Sequence, residues 1–390
     1  MQHTDRFLQL QRCLADHQAL WRPAPFHQVR PAWTRSHPAL AAEVLALDEA
    51  VLEVLAADPD AAGDWLGRWL PGLTELRALS RFGPLPRRDL PAAGGLAAGS
   101  VPARKGRQIE AFAAVAPALR APVVEWCAGK GHLGRHLALA DGVEVHSLER
   151  DPVLCGEADR LAGRAGVRQH SECVDVLATG MARRLRDREV VALHACGELH
   201  RSLVRGAERA GALGYRIAPC CYHHGVDSRY RPLSAPAALP LDSAELRLAV
   251  TDLVTAPAGV RRRLARDQIW KLGFKAMADG LQLPLKATFR PVPTAWLAGD
   301  FEQFCRALAA REGVRLPERL EPDRWLVAGE RRRAELRRLE LVRHAFRRSL
   351  EAWLVLDLAV AFEVAGFAVI LGEFCARELT PRNLMLLARA

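Results

Sequence analysis

Three glycines and three carboxylates lie at spacings that suit a charged nucleoside. Gly129, Gly131 and Gly134 follow the apolar run Pro122–Trp126 and spell Gly-x-Gly-x-x-Gly. Such a turn lets a ligand approach the backbone at the start of a helix, and it serves dinucleotides as readily as other nucleosides. The acids narrow the choice. Glu125 stands four residues before the first glycine, where it is expected to face whatever the loop holds. A carboxylate there would repel a pyrophosphate but suits the ammonium and sulfonium of S-adenosylmethionine. Glu149 falls 20 residues after Gly129, the place from which a carboxylate accepts both ribose hydroxyls. Asp175 closes a third apolar run and is placed for an adenine amine. Cys127, Leu133, Arg150 and Val176, next to these residues, complete the candidate cofactor set. Taken singly, Glu149 reads equally well as a surface acid and Asp175 as a helix cap.

A second constellation follows, His194-Ala-Cys-Gly-Glu198 and Ala218-Pro-Cys-Cys-Tyr-His-His224. With an ordinary pKa near 6.5, His194 could serve as general base toward a hydroxyl or orient the cofactor, or it could simply pack. Cys220 and Cys221 offer a thiolate that could add to a pyrimidine ring, although buried cysteine is more often a small apolar residue. Tyr222 and His223 could wall an acceptor pocket with flat rings. Cys196, Cys220, Cys221, His223 and His224 are zinc-ligand types, but adjacent cysteines rarely aim both sulfurs at one ion. No Cys-x-x-Cys pair occurs, and no metal site is expected. An Asn/Asp-Pro-Pro-aromatic sequence, which would hold a target amine, is absent from this region.

These residues need strand ends to present them. Apolar runs at about 122 to 127, 143 to 149, 168 to 174, 189 to 195 and 214 to 220 alternate with helical patterns at about 132 to 140, 152 to 164, 178 to 185 and 198 to 211. That rhythm predicts a parallel, doubly wound sheet with the chemistry at its carboxyl edge. After a helix over Leu350 to Val364, the runs 366 to 374 and 383 to 389 are joined by a link too short for a crossover, so they must pair antiparallel. The expected fold is α/β, a seven-stranded Rossmann-like sheet with an antiparallel C-terminal hairpin. The expected regions are 1–100, helical; 101–235, the first part of the core; 236–348, a mainly helical basic insertion; and 349–390, the last helix and hairpin. A Pro/Gly/Ala-rich stretch, Pro91 to Gly99, reads as the first boundary.

Half of the 390 residues are apolar, enough for a full core, and no run of about 18 uncharged apolar residues marks a membrane span. The nine cysteines lack the dense even spacing of a secreted disulfide framework, and the N-terminus lacks the features of a secretory signal, so the expected compartment is the cytoplasm. Net charge is +10, and residues 236–348 hold 22 Lys or Arg against 14 Asp or Glu. That local excess suits a polyanion such as RNA. Only five of the 55 basic residues are lysine, so an arginine-rich base composition is an alternative source of the charge. Oligomeric state is not readable.

The segments Glu125-Trp-Cys-Ala-Gly-Lys-Gly-His-Leu-Gly134, His194-Ala-Cys-Gly197, Cys220-Cys-Tyr-His223 and Thr380-Pro-Arg-Asn383 together resemble a methyltransferase-domain family, the methyltransferase-like protein twenty-five group. They are more distantly similar to tRNA acceptor-stem 2′-O-methyltransferases. The resemblance covers about residues 104 to 224 and 350 to 390. It implies a class I methyltransferase using S-adenosylmethionine, and it implies that Arg104 and Lys105 contact the cofactor carboxylate or the acceptor. The zinc-finger modules of the tRNA enzymes are missing. The leading expectation is methyl transfer to RNA, rRNA or tRNA, with residues 236–348 as a basic cap over the sheet's carboxyl edge. A protein or small-molecule methyltransferase and a non-catalytic donor-binding scaffold are the alternatives.

Overall fold

In the computed structural model, residues 2–90, 101–251, 257–285 and 290–390 are described. The expected Pro91–Gly99 boundary lies outside them. The apolar runs form strands β1 Val123–Trp126, β2 Val145–Glu149, β3 Gln169–Cys173, β4 Glu189–Cys196 and β5 Gly214–Cys220, with β6 Ala368–Glu373 and β7 Leu384–Arg389 at the end. They make one sheet in the order β3-β2-β1-β4-β5-β7-β6. The first five are parallel, and β7 pairs antiparallel with both β5 and β6. The order reverses beside β1, between β1 and β4, so ligand chemistry is expected at their carboxyl ends.

Helices Ala103–Ala113, His132–Asp141 and Pro152–Ala165 flank this sheet. Ile109, Phe112, Leu133 and Leu137 pack with Val123, Val145, Val191 and Met385 in its core. The expected helix at 178 to 185 is a single 3-10 turn, Met181–Leu185. Arg347–Val364 is buried along most of its length, and its Asp357 binds the hydroxyl of Tyr230 and the backbone N–H groups of Leu233 and Ser234. Among the described residues, no helix is long and apolar enough to cross a membrane.

The chain divides into two compact units in a way that the expected boundaries at 100, 236 and 348 did not anticipate. One unit comprises Met1–Ala15, Glu75–Thr255 and Arg347–Ala390, and the other Asp16–Thr74 and Ala256–Phe346. The helical N-terminus is therefore no region of its own, because Leu52, Leu55 and Ala62 bury their apolar faces against Leu341 of the inserted helices. Electrostatics agree. Arg337 pairs with Glu49 and Glu53, Arg338 with Glu49, and Arg343 donates to the Trp21 carbonyl. The acidic N-terminal helices thus neutralise part of the arginine run. The second unit holds 23 Lys or Arg against 19 Asp or Glu, a net +4, which is half of the excess that residues 236–348 carry alone.

Candidate active site

The glycine turn is anchored from below and from the side. Glu149, at the tip of β2, accepts from the backbone N–H groups of Gly129 (2.9 Å), Arg150 (2.8 Å) and Asp151 (3.1 Å). Three such bonds hold the carboxylate against the loop. Gly129 adopts φ 59°, and a Cβ there would meet nothing within 4 Å. The backbone is therefore bare and open to a ligand. Cys127 holds φ 59° as well, a left-handed conformation that strains any residue with a Cβ. Its thiol is raised to about 12, by burial first and then by the charge of Glu149.

Two expectations for this end are corrected. Glu125 is only 4% exposed, sits beneath the loop, and accepts from the Ser147 hydroxyl (2.8 Å) and the Gln169 amide (3.4 Å). Burial raises its pKa to about 7, against the opposing effects of Ser147, the Gly134 N–H, Arg135 and Lys105. The argument that its charge selects a sulfonium over a pyrophosphate therefore fails. Leu133 likewise points into the core, not at a ligand. The sequence reading missed the residues that support the loop. Gln169 donates to the Gly131 carbonyl (2.9 Å) and to Ser147 (2.9 Å), and buried Arg135 reaches the carbonyls of Lys130 and Gly131. Their only sequence signal is polarity inside otherwise apolar segments.

The remaining donor-side residues lie around the carboxyl ends of β2 and β3. Exposed Asp175 accepts from the Leu177 N–H in a local turn and caps no helix, since the 3-10 turn that follows begins at Met181 with Gly180 before it. Val176 is buried and lines a cavity of about 320 Å³ with Trp126, Leu177, Met181 and Ser202. Arg150 and Lys105 are exposed. The carboxylate of Glu149, the bare Gly129 backbone and a cavity of mixed polarity beside Val176 could accommodate an adenosyl group.

At the other end the strands are irregular. Pairing of β4 with β5 slips between Leu193 and Cys196, and His194 within the slip has φ 61°. Gln108 fixes the His194 tautomer. Its amide N–H donates to the Leu379 carbonyl (3.1 Å), which turns its oxygen toward His194 Nε2 (3.3 Å). Nε2 therefore carries the proton, and Nδ1 is a lone-pair acceptor, buried and without a partner. An orphaned buried acceptor costs about 1–3 kcal/mol, which a ligand hydroxyl would recover. The expectation of an ordinary pKa is corrected. Burial lowers it to about 4 against the opposing effect of Cys221, and Arg382, Lys105 and Arg104 each add a smaller lowering.

Tyr222 is corrected too. It is 1% exposed and packs edge-on against His200, so its ring cannot stack on a base. His223 remains half-buried beside His224, with ring centroids 4.5 Å apart, and its Nδ1 has no partner. Cys220 is buried, and the hydrogen bonds its thiol makes with Cys196 and Cys221 raise its pKa far above the thiol range. Cys221 is lowered by hydrogen bonds with Cys196 and Cys220. The sulfurs of Cys196, Cys220 and Cys221 all lie within 4.8 Å of one another. The sequence argument that adjacent cysteines diverge does not hold here. Cys221 turns to φ 45°, which breaks the strand alternation and brings both sulfurs to one side.

Residues 104–226 match the model of a family described as a methyltransferase domain. The matched segment is a methyltransferase domain, and S-adenosylmethionine is its cofactor. No curated protein matches the chain. Among solved structures, TYW2 of M. jannaschii in complex with AdoMet is 14% identical, with TM-score 0.25 over 30% of this chain and 52% of that one. TYW2 of P. horikoshii in complex with MeSAdo is 20% identical, with TM-score 0.24 over 28% and 41%. A TehB-like SAM-dependent methyltransferase from Corynebacterium glutamicum is 17% identical, with TM-score 0.24 over 41% and 73%. The chain spans about half the length of the first of these or less of the second.

Proposed function

We propose that the chain transfers the methyl group of S-adenosylmethionine to an RNA, rRNA or tRNA, at a hydroxyl presented to His194. When bound, the cofactor supplies an electrophilic methyl on a positively charged sulfur. Glu149 would hold the ribose hydroxyls, the Gly129 backbone would lie against the nucleoside, and Asp175 with Val176 would take the base. His194 Nδ1, neutral across the physiological range, would accept the hydrogen of the attacking hydroxyl and orient its lone pair. Cys127, Arg150 and Lys105 border this ligand.

The observation that carries the choice of RNA is a set of cations around the acceptor end within the methyltransferase unit. Arg382, Lys105 and Arg104 all depress the His194 pKa, and Arg247 acts likewise on His223. Lys105, Arg104 and Arg247 are exposed. A phosphate backbone laid there would meet several positive charges beside an unmet hydrogen-bond acceptor. The resemblance to the methyltransferase-like protein twenty-five group and to acceptor-stem 2′-O-methyltransferases points the same way. Arg261, Arg262 and Arg263 are exposed in the second unit.

The test is transfer of radiolabelled methyl from S-adenosylmethionine into total RNA and total protein, combined with RNA affinity measured across a salt series. Label in RNA is expected, with affinity falling steeply in salt and the logarithmic slope reduced by about one in Arg247→Ala. Label confined to protein or small molecules, or affinity indifferent to salt, overturns the RNA reading.

A further inference from the structure

We propose that Cys196, Cys220 and Cys221 form a three-thiolate site for one zinc ion, with the fourth coordination position left for water or a substrate atom. The backbone is arranged for this convergence. Cys196 and Cys220 are register partners on neighbouring parallel strands, and they become so only because β4 slips after Leu193. Their sulfurs are 3.3 Å apart. Cys221 joins them through its left-handed conformation. Gly197, at φ 54°, allows the chain beyond β4 to press against the His224 carbonyl, and its N–H binds the Cys220 carbonyl, so the two cysteine-bearing ends are held together.

Zinc–sulfur bonds of about 2.3 Å place three ligating sulfurs about 3.7–4.0 Å from each other. The spacings here, from 3.3 Å to at most 4.8 Å, bracket that range. Left-handed backbone at His194 and Cys221 costs about 1–2 kcal/mol per residue, an expense that nothing in the packing of three small side chains requires. Soft thiolates select zinc over magnesium or calcium. Three protein ligands and one open position are the arrangement of zinc sites that bind a further molecule. The surroundings supply positive charge against three thiolates, since Arg382, Arg104 and Lys105 act on adjacent His194.

A further ring nitrogen near the cluster awaits a partner. His200 Nδ1 is bonded to the Ala195 carbonyl at 2.8 Å, leaving Nε2 as a fully buried acceptor without a partner. A metal-bound water is a donor suited to such an acceptor. The site does not depend on the identity of the methyl acceptor.

The experiment is metal analysis of the full chain purified under a thiol-free reductant from zinc-supplemented medium, followed by replacement of zinc with cobalt. About one zinc per chain is expected, with thiolate-to-cobalt charge transfer and the intense visible bands of a tetrahedral site. Cys196→Ser, Cys220→Ser and Cys221→Ser should each weaken zinc binding at least about 10-fold, while Cys173→Ser leaves it unchanged. Calorimetric binding of S-adenosylmethionine in each variant reports that the fold has survived. Three results would overturn the proposal: negligible zinc after reconstitution, a cobalt spectrum without thiolate bands, or undiminished binding in all three folded variants. A Cys196–Cys220 disulfide in the intact mass, without metal, would replace the site with a redox pair.

Discussion

The two ends of the same carboxyl edge differ in how their polar groups are spent. Around β1 and β2, Glu149, Gln169, Ser147 and Arg135 bond the glycine loop's backbone or the side chain beneath it. Around β4 and β5, His194 Nδ1, His200 Nε2, His223 Nδ1 and the Tyr222 hydroxyl are left without partners, and three thiols crowd together. At the first end most of these hydrogen bonds are made before a ligand arrives, with Gln169 Oε1 left without a partner, and the second is completed by whatever binds. Preorganisation of this kind suits a cofactor that is the same in every cycle. Open valences suit an acceptor and an ion.

The sharpest way to break this contrast is Glu149→Ala. It removes a charged acceptor both from the ribose and from the Gly129 N–H, so donor affinity measured by calorimetry should fall about 100-fold or more, roughly 3 kcal/mol. A fall of less than about threefold would mean that the loop is not held as described. A preference for NAD over S-adenosylmethionine would remove the donor assignment altogether.

Acidification tests the second end. His200 and His194 have folded pKa values lowered to about 4 by burial, below their ordinary value of 6.5. The unfolded chain therefore binds more protons between pH 6.5 and 4, and stability present above pH 6.5 is lost as the pH falls through that window. For fully buried His200 the loss by pH 5 is about 2 kcal/mol. Urea midpoints should drop over this range in the parent and drop less in His200→Gln. The rate of methyl transfer should show no step near 6.5 attributable to His194, and such a step, absent in His194→Ala, would mean that its imidazole is solvated.

The smallest effect expected is at the first end. Cys127→Gly relieves a left-handed Cβ and should raise stability by about 1 kcal/mol. A loss of stability would show that the thiol packs productively.

This division also explains what the sequence revealed. The five parallel strands were legible to within about two residues because strands covered on both faces read as continuous apolar runs. Glu149 was legible because the strand–helix–strand unit fixes its distance from Gly129. Ser147, Gln169 and Arg135 were not, since a polar residue in an apolar segment does not say which loop it will reach across neighbouring strands. Nor was the burial of Glu125, whose spacing to the glycines fixed its place on β1 but not the neighbours that cover it. Alternation fails at His194 and Cys221, so the convergence of three sulfurs could not be read from spacing. Residues 1–100 were expected to be helical, but nothing in the sequence named Leu341 as the partner of Leu52 and Leu55.

That last pairing sets a timetable for synthesis. The Glu49 helix meets Arg337, 288 residues later in the chain. At about 5–20 residues per second, a ribosome needs roughly 15–60 s to make the intervening chain. Throughout that interval Leu52 and Leu55 have no Leu341 to cover them, so the emerging N-terminal helices are a natural client for a chaperone that shields apolar surface until the C-terminal third is made.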